Sequence, residues 1–269
     1  MKTTKLQPAL QPDADELALL ESEREYFRAG AHNRPVCGGT LSVIPGLQHL
    51  PAGCVLHDIT AAPGPADTIS WVRSMERRFL RVGSRLCRFY LPGRPAQIGP
   101  ILQGIGYARQ VETGLTRDLE AGATDIMAHL NLRPLDPARG WTQKIQLCIQ
   151  AGLGPDGYDM RQGAYATLER TKCQSGYMRS YLYWRGSRAV GAASLAVHGG
   201  FARLKNVLVH PEYRARGVGR AMVIGMMDEA RRQGATVFGV FARTEAARQL
   251  YARCGMAEQL IQTEWTRAL

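Results

Sequence analysis

From Tyr177 to Val209 the chain runs through three stretches rich in aromatic and β-branched residues, Tyr177 to Arg185, Arg188 to Val197 and Phe201 to Val209, separated only by Gly186-Ser187 and Gly199-Gly200. Stretches of that length, cut by turn residues, predict three antiparallel strands joined by two hairpins. The period then changes. Met222, Val223, Met226, Met227 and Ala230 recur at helical spacing within Arg220 to Arg232, Thr236 to Phe241 returns to a strand pattern, and Glu245 to Arg253 is helical again through Ala247, Leu250 and Tyr251. Ala257 to Thr266 predicts a last strand, and upstream Trp141 to Leu153 and Gly163 to Cys173 predict two helices.

The first half repeats part of this order. Asp13 to Arg28 predicts a helix with Asp13 as its cap, Gly53 to Ile59 a strand, and Ala66 to Val82 a helix closed by Gly83. Ser84 to Leu91 follows as a strand, Ala96 to Ile105 as a helix, and Arg109 to Thr116 as a closing strand. Between the halves, residues 121–140 are turn-prone, with Pro134, Pro137 and Gly140, and read as a linker holding one short helix, Asp125 to Leu132. The organisation expected is therefore a domain at 1–120, a linker at 121–140 and a second domain at 141–269.

Chemistry concentrates where strand gives way to helix. The apolar positions Leu204, Val207 and Val209 run into His210-Pro211, and Pro211 ends the strand because it lacks a ladder donor. Arg214-Ala215-Arg216-Gly217-Val218-Gly219-Arg220 follows, its two glycines allowing a tight turn directly before a helix. The first N–H groups of a helix have no intrahelical partner and sit at the positive end of its dipole. With three arginines beside them, they form a site for a pyrophosphate. A Gly-x-Gly pair alone is a weak signal, since most such pairs are plain turns; its place between this strand and this helix makes it a specific one.

The order Arg-x-x-Gly-x-Gly after a Val-x-Val-x-Pro strand resembles the acetyl-CoA loop of the GNAT N-acetyltransferases. A second motif of that family, Asn-x-x-Ala-x-x-Leu-Tyr-x-x-x-Gly-Phe, is matched here by Thr244, Ala247, Leu250, Tyr251, Gly255 and Met256, with Thr in place of Asn and Met in place of Phe. The resemblance covers about residues 141 to 269. It implies an α/β protein, α+β in its mixed sheet, with two GNAT-like domains, each a central mixed sheet flanked by helices, the N-terminal one degenerate. In that first half, Ala61-Ala62-Pro63-Gly64-Pro65 stands where the loop would be; it offers no arginine and two prolines without N–H, so it should not hold pyrophosphate.

The resemblance also implies the roles. Acetyl-CoA is the co-substrate, bound by Arg214, Ala215, Arg216, Gly217, Val218, Gly219 and Arg220 at its pyrophosphate, by backbone groups of Val207, Leu208 and Val209 along its pantetheine arm, and by Thr244. Tyr251 would protonate the departing thiolate, although a tyrosine on an amphipathic helix is more commonly a core residue. No carboxylate occupies the polar positions Arg203, Lys205 and Asn206 of the strand, where many members of the family carry a Glu. Asn206 would instead hold a water that relays the acceptor's proton, with a strand carbonyl, Asp159 or Glu169 as a remote partner.

Charge refines the acceptor. The net charge is +11, and residues 139–269 hold 19 Lys plus Arg against 9 Asp plus Glu, while residues 1–138 hold 15 against 14. A basic surface attracts the phosphates of CoA, and a small amine that carries its own carboxylate or phosphate suits it better than a polycation, because no carboxylate-lined pocket is evident, although Asp156, Asp159, Glu258 and Glu264 could converge. Nucleic acid is disfavoured, since no basic run with interleaved aromatics is present. Six scattered histidines give no metal constellation; His210 is expected to be exposed and His198 to border the acceptor pocket. The six cysteines lack Cys-x-x-Cys spacing and read as reduced core thiols. No apolar run reaches a membrane span and Met1 to Asp15 has no signal-peptide core, which points to a cytoplasmic protein. Two other readings stay open: a non-catalytic acyl-CoA sensor or scaffold, and an enzyme for a longer acyl-CoA with room beside Ala192, Ala193 and Ala196. A homodimer and a pseudo-dimeric monomer are both compatible with the repeat.

Overall fold

The computed structural model describes residues 13–59, 65–92, 98–119, 131–151 and 164–269. The predicted loop Ala61 to Gly64, most of the short helix from Asp125, and Asp156 and Asp159 lie outside the described residues.

Helix α1 (Ala14–Arg28) starts at Asp13, whose side chain accepts from Glu16 N while Glu16 reaches back to Asp13 N, a complete capping box. Strands β1 (His32–Val36), β2 (Gly39–Val43) and β3 (Cys54–His57) lead to α2 (Pro65–Arg81), β4 (Leu86–Pro92), α3 (Ile98–Gly104) and β5 (Ala108–Asp118). After β6 (Leu132–Pro134) come α4 (Gly140–Ala151), α5 (Ala164–Gln174), β7 (Arg179–Arg185), β8 (Arg188–His198), β9 (Phe201–Val209), a 3-10 turn (Pro211–Tyr213), α6 (Val218–Arg232), β10 (Val237–Ala242), α7 (Glu245–Arg253) and β11 (Ala257–Ala268). The predicted elements of the second half are found within a few residues of their expected ends. The residue expected to close a short linker helix, Leu132, instead pairs with Tyr183 in an edge strand.

All of these strands form one mixed sheet in the order β1-β2-β3-β4-β11-β5-β10-β9-β8-β7-β6. Its centre departs from the sequence reading. The closing strand of each half was expected beside its own half, but β5 lies between β10 and β11, and β11 between β4 and β5, all antiparallel. Outward from the β5–β11 pair the two sides mirror each other. On one side β4 pairs in parallel with β3 across α2, and on the other β10 pairs in parallel with β9 across α6. The halves are thus related as a pseudo-dimer that has exchanged its last strands.

The cores follow the exchange. Leu115 and Leu119, at the end of the first half's closing strand, pack with Met222, Met226, Phe238, Val240 and Tyr251 of the second. Trp265 of β11 packs with Trp71, Phe79, Phe89 and Tyr107 of the first. Helix α1 crosses the seam, touching β5, β9, β10 and β11, with Leu19, Glu23, Tyr26 and Phe27 on its buried face. Among the described residues, no helix is long and apolar enough to cross a membrane.

Candidate active site

The site begins where two parallel strands part. Phe201, Ala202 and Arg203 of β9 pair with Val237, Phe238 and Gly239 of β10, and the ladder stops there. Gly239, at the last pair, leaves room for the Phe201 ring and Leu19, both of which a Cβ there would crowd. Beyond it β9 follows β8 while Val240 to Ala242 follow β5. A wedge therefore opens between Leu204 to Val209 and Val240 to Ala242. Within it the register of β9 against β8 slips between the pairs Ala192–Leu208 and Ser194–Lys205. Asn206 sits in this bulge at φ +55°, a left-handed conformation that a non-glycine residue adopts at a cost.

At the outer end of the wedge the chain turns through Ala215 at φ +56° and Gly217 at φ +79° into α6. Gly217 caps the helix without a side-chain hydrogen bond, so the N–H groups of its first turn keep no side-chain partner at the cap. Arg214 Nε donates to the carbonyl of Val209 at 3.1 Å, tying the loop to the end of β9; Arg216 and Arg220 are exposed. These residues come together as the sequence predicts. Thr244 caps α7 by accepting from Ala247 N at 3.2 Å, which gives its hydroxyl a structural duty beside any contact with a ligand.

A cavity of about 190 Å³ fills the wedge, lined by Lys205, Asn206, Val207, Leu208, Thr244 and Tyr251 from the second half and by Glu23, Tyr26, Phe27, Tyr90 and Glu112 from the first. Tyr251 is buried, and burial raises its phenol well above the ordinary value, so it is protonated at neutral pH. The Asn206 side chain is held by Tyr165, whose hydroxyl donates to Oδ1 at 2.5 Å, while Asn206 Nδ2 is buried without a partner among the described residues.

Sequence reasoning named Glu169 as a remote partner of Asn206 but missed the first half's carboxylates, Glu23 and Glu112. Glu23, Glu112 and Glu169 all line the cavity, two of them from the first half. Glu23 takes Arg203 Nη2 at 2.7 Å and Lys205 Nζ at 2.9 Å. Burial pushes its carboxyl up, but the two cations outweigh that and hold it at about 2, while burial brings Lys205 down to about 8. Glu112 is bound by Arg243 Nε and Gln262 Nε2, and Arg243 also donates to the Tyr90 hydroxyl at 2.9 Å and pairs with Glu264 at 2.9 Å. Of the carboxylates expected to converge, Glu264 is buried in this network beside the cavity and Glu258 is exposed. The pattern Arg203-x-Lys205 with no acid nearby in sequence was the one available signal, since two buried cations require anions from elsewhere.

Other expectations are corrected. His210 is buried, with Arg188 Nη2 2.9 Å from its Nε2, because the proline turn folds back over it. His198 stacks on Tyr177 at the far hairpin, away from the cavity. Ala192, Ala193 and Ala196 are packed in three different cores and do not border the cavity, so they provide no acyl tunnel. Cys37 is exposed; Cys54, Cys87, Cys148 and Cys254 are buried, and burial raises Cys54 and Cys87 to about 12 and Cys148 to about 11, which keeps them as inert thiols. Among the described residues, no three His, Cys, Asp or Glu gather as a metal cluster.

Residues 154–256 match the acetyltransferase (GNAT) family. The match covers the loop and helices described above, and the reaction class of that family is acyl transfer. In structure, the chain is similar to a conserved protein of unknown function from Staphylococcus epidermidis (TM-score 0.68, 12% identity, 88% of this chain and 94% of that one). It is similar also to a GCN5-related N-acetyltransferase from Kribbella flavida (TM-score 0.66, 12% identity, 96% of each chain). A tandem GNAT protein from the clavulanic acid biosynthesis pathway shares the fold as well (TM-score 0.54, 14% identity, 86% of this chain and 78% of that one). No curated protein matches in sequence.

Proposed function

We propose that the protein transfers the acetyl group of acetyl-CoA to an amine of a small molecule, by direct attack in the β9–β10 wedge. The observation that carries this reading is the protonated Tyr251 phenol lining a cavity that lies in the same wedge as the uncapped start of α6. The helix start and Arg214, Arg216 and Arg220 hold the pyrophosphate; Val207, Leu208 and Val209 offer backbone groups to the pantetheine arm, because the parted strand leaves this edge free of β10. The thioester is thereby directed toward Tyr251. As the amine attacks, the C–S bond breaks and Tyr251 donates its proton to the thiolate. Asn206 Nδ2 donates to a water, which leaves the lone pair of the amine for the attack.

The acceptor meets a pocket whose acids are already offset by cations, with Tyr26, Phe27, Tyr90 and Phe241 between them. Such a pocket favours a compact amine of low net charge, including one with its own carboxylate, over a polycation. Calorimetric titration with acetyl-CoA, followed by thiol release across an amine library, tests the whole reading: micromolar binding with a turned-over amine supports it, binding without turnover favours a sensor, and no binding refutes it. A preference for a larger thioester would assign a longer-chain enzyme.

Two variants probe the parts. Tyr251→Phe is expected to lower kcat about 100-fold with acetyl-CoA affinity nearly unchanged, the loss typical of a general acid; unaltered turnover rules out that role. Gly217→Glu forces a side chain onto φ +79° and sets a negative charge at the pyrophosphate. It is expected to weaken acetyl-CoA binding about 100-fold, and an unchanged dissociation constant by calorimetry excludes the loop.

A further inference from the structure

Resting on the acetyl-transfer reading above, we propose that Glu169 of α5 is the group that accepts the acceptor amine's proton, directly or through one water held by Asn206. The β9 strand offers no acid, and the three carboxylates of the cavity differ in what they leave free. Both oxygens of Glu23 are bound by Lys205, and both of Glu112 by Arg243 and Gln262. Glu169 receives Lys144 Nζ, Ser180 Oγ and Ser194 Oγ all on Oε1, leaving Oε2 buried with no partner among the described residues. An unpaired buried carboxylate oxygen is costly, and here it belongs to a residue lining the same cavity as the unpaired Asn206 Nδ2. One atom lacks a donor and the other an acceptor. A water satisfies both at once, donating O–H to Glu169 and accepting from Asn206, with a second lone pair left to take the acceptor's ammonium proton. Tyr165 and Glu169 are four residues apart on α5, so one helix face carries the acid and the hydroxyl that holds Asn206.

Protons balance. The ammonium gives one proton to Glu169; the free amine attacks and loses its second as the amide forms, restoring the proton that Tyr251 has passed to the thiolate. Glu169 then returns its proton to solvent, the one proton the reaction releases. Glu169 is paired with Lys144 of α4. Among the described residues, other titratable groups close to Glu169 include Cys148 of α4, Cys173 of its own helix and Tyr26 of α1. Burial raises them to about 11, to about 12 and well above the phenol's ordinary value, so they stay uncharged near neutrality.

The test is the pH–rate profile of wild type, Glu169→Gln, Glu169→Asp and Lys144→Met with whichever amine the library yields. Glu169→Gln should lose at least about 100-fold in kcat with unchanged acetyl-CoA affinity, its residual rate climbing tenfold per pH unit as free amine alone attacks. Glu169→Asp should recover part of that loss. Lys144→Met should lower kcat, because it removes the cation bound to Glu169 Oε1 and to the Ser180 hydroxyl. The double variant Lys144→Met/Glu169→Gln, which leaves no unpaired lysine to disturb folding, should behave as Glu169→Gln does. A wild-type protein that turns over while Glu169→Gln keeps its rate and acidic limb overturns the role of Glu169 alone; a wild type that binds acetyl-CoA yet acetylates no amine overturns the acetyl-transfer reading and this one together.

Discussion

A chain cut to residues 141–269, the span that the motifs mark out as a domain, is expected to lose its fold and all acyl transfer. Strand β5 supplies partners to Val237 through Ala242 of β10 and to β11 from Ala257 to Thr266. Without it both become open edges in the middle of an apolar core, and Leu115 and Leu119 leave a void among Met222, Phe238 and Tyr251. The cavity also loses Glu23, Tyr26, Phe27, Tyr90 and Glu112. Circular dichroism and thiol release on the fragment decide the matter: native-like melting with retained turnover would show that the shared sheet is dispensable.

Glu23→Ala is expected to cost about 3–5 kcal/mol, because it leaves Arg203 and Lys205 buried without their counter-charge. Its dependence on pH carries a definite sign. The Glu23 carboxyl is depressed in the folded state from 4.5 to about 2, so its stabilisation, about 3 kcal/mol, is present above pH 4.5 and lost as pH falls through about 2. Urea unfolding at pH 7 and at successively lower pH should therefore show the gap between wild type and Glu23→Ala narrowing below pH 4.5. A gap that is small at pH 7, or constant with pH, would mean that the ion pair does not hold α1 to the sheet.

The second half was legible because its local signals agree: hairpin glycines at 186 and 199–200, a helical stripe of methionines, and strands Phe201–Val209 and helix Glu245–Arg253 at their expected ends. Strands β1 and β2 went unseen for the opposite reason. His32–Val36 is an edge strand, exposed and carrying Pro35, and it alternates nothing. The exchange of β5 and β11 could not be read at all, since both carry the same kind of pattern and strand composition does not name a partner. From that one omission follow the missed residues: once β5 stands beside β10, Glu112 reaches the wedge, and α1 brings Glu23 across the seam to cations about 180 positions later in the chain. The glycine and arginine loop was visible because its residues are contiguous; the first half's side of the cavity was hidden because it is assembled from distant segments.

The exchanged strands also bear on when this protein can fold. The first half's sheet pairs Leu86 to Pro92 with Gln262 to Ala268, so it cannot be completed until residue 268 has been synthesised, and β5 has no permanent neighbours before β10 and β11 exist. During translation the first half must wait with an apolar strand unpaired, and both halves should then close in one slow, cooperative step dominated by contacts of very long sequence separation.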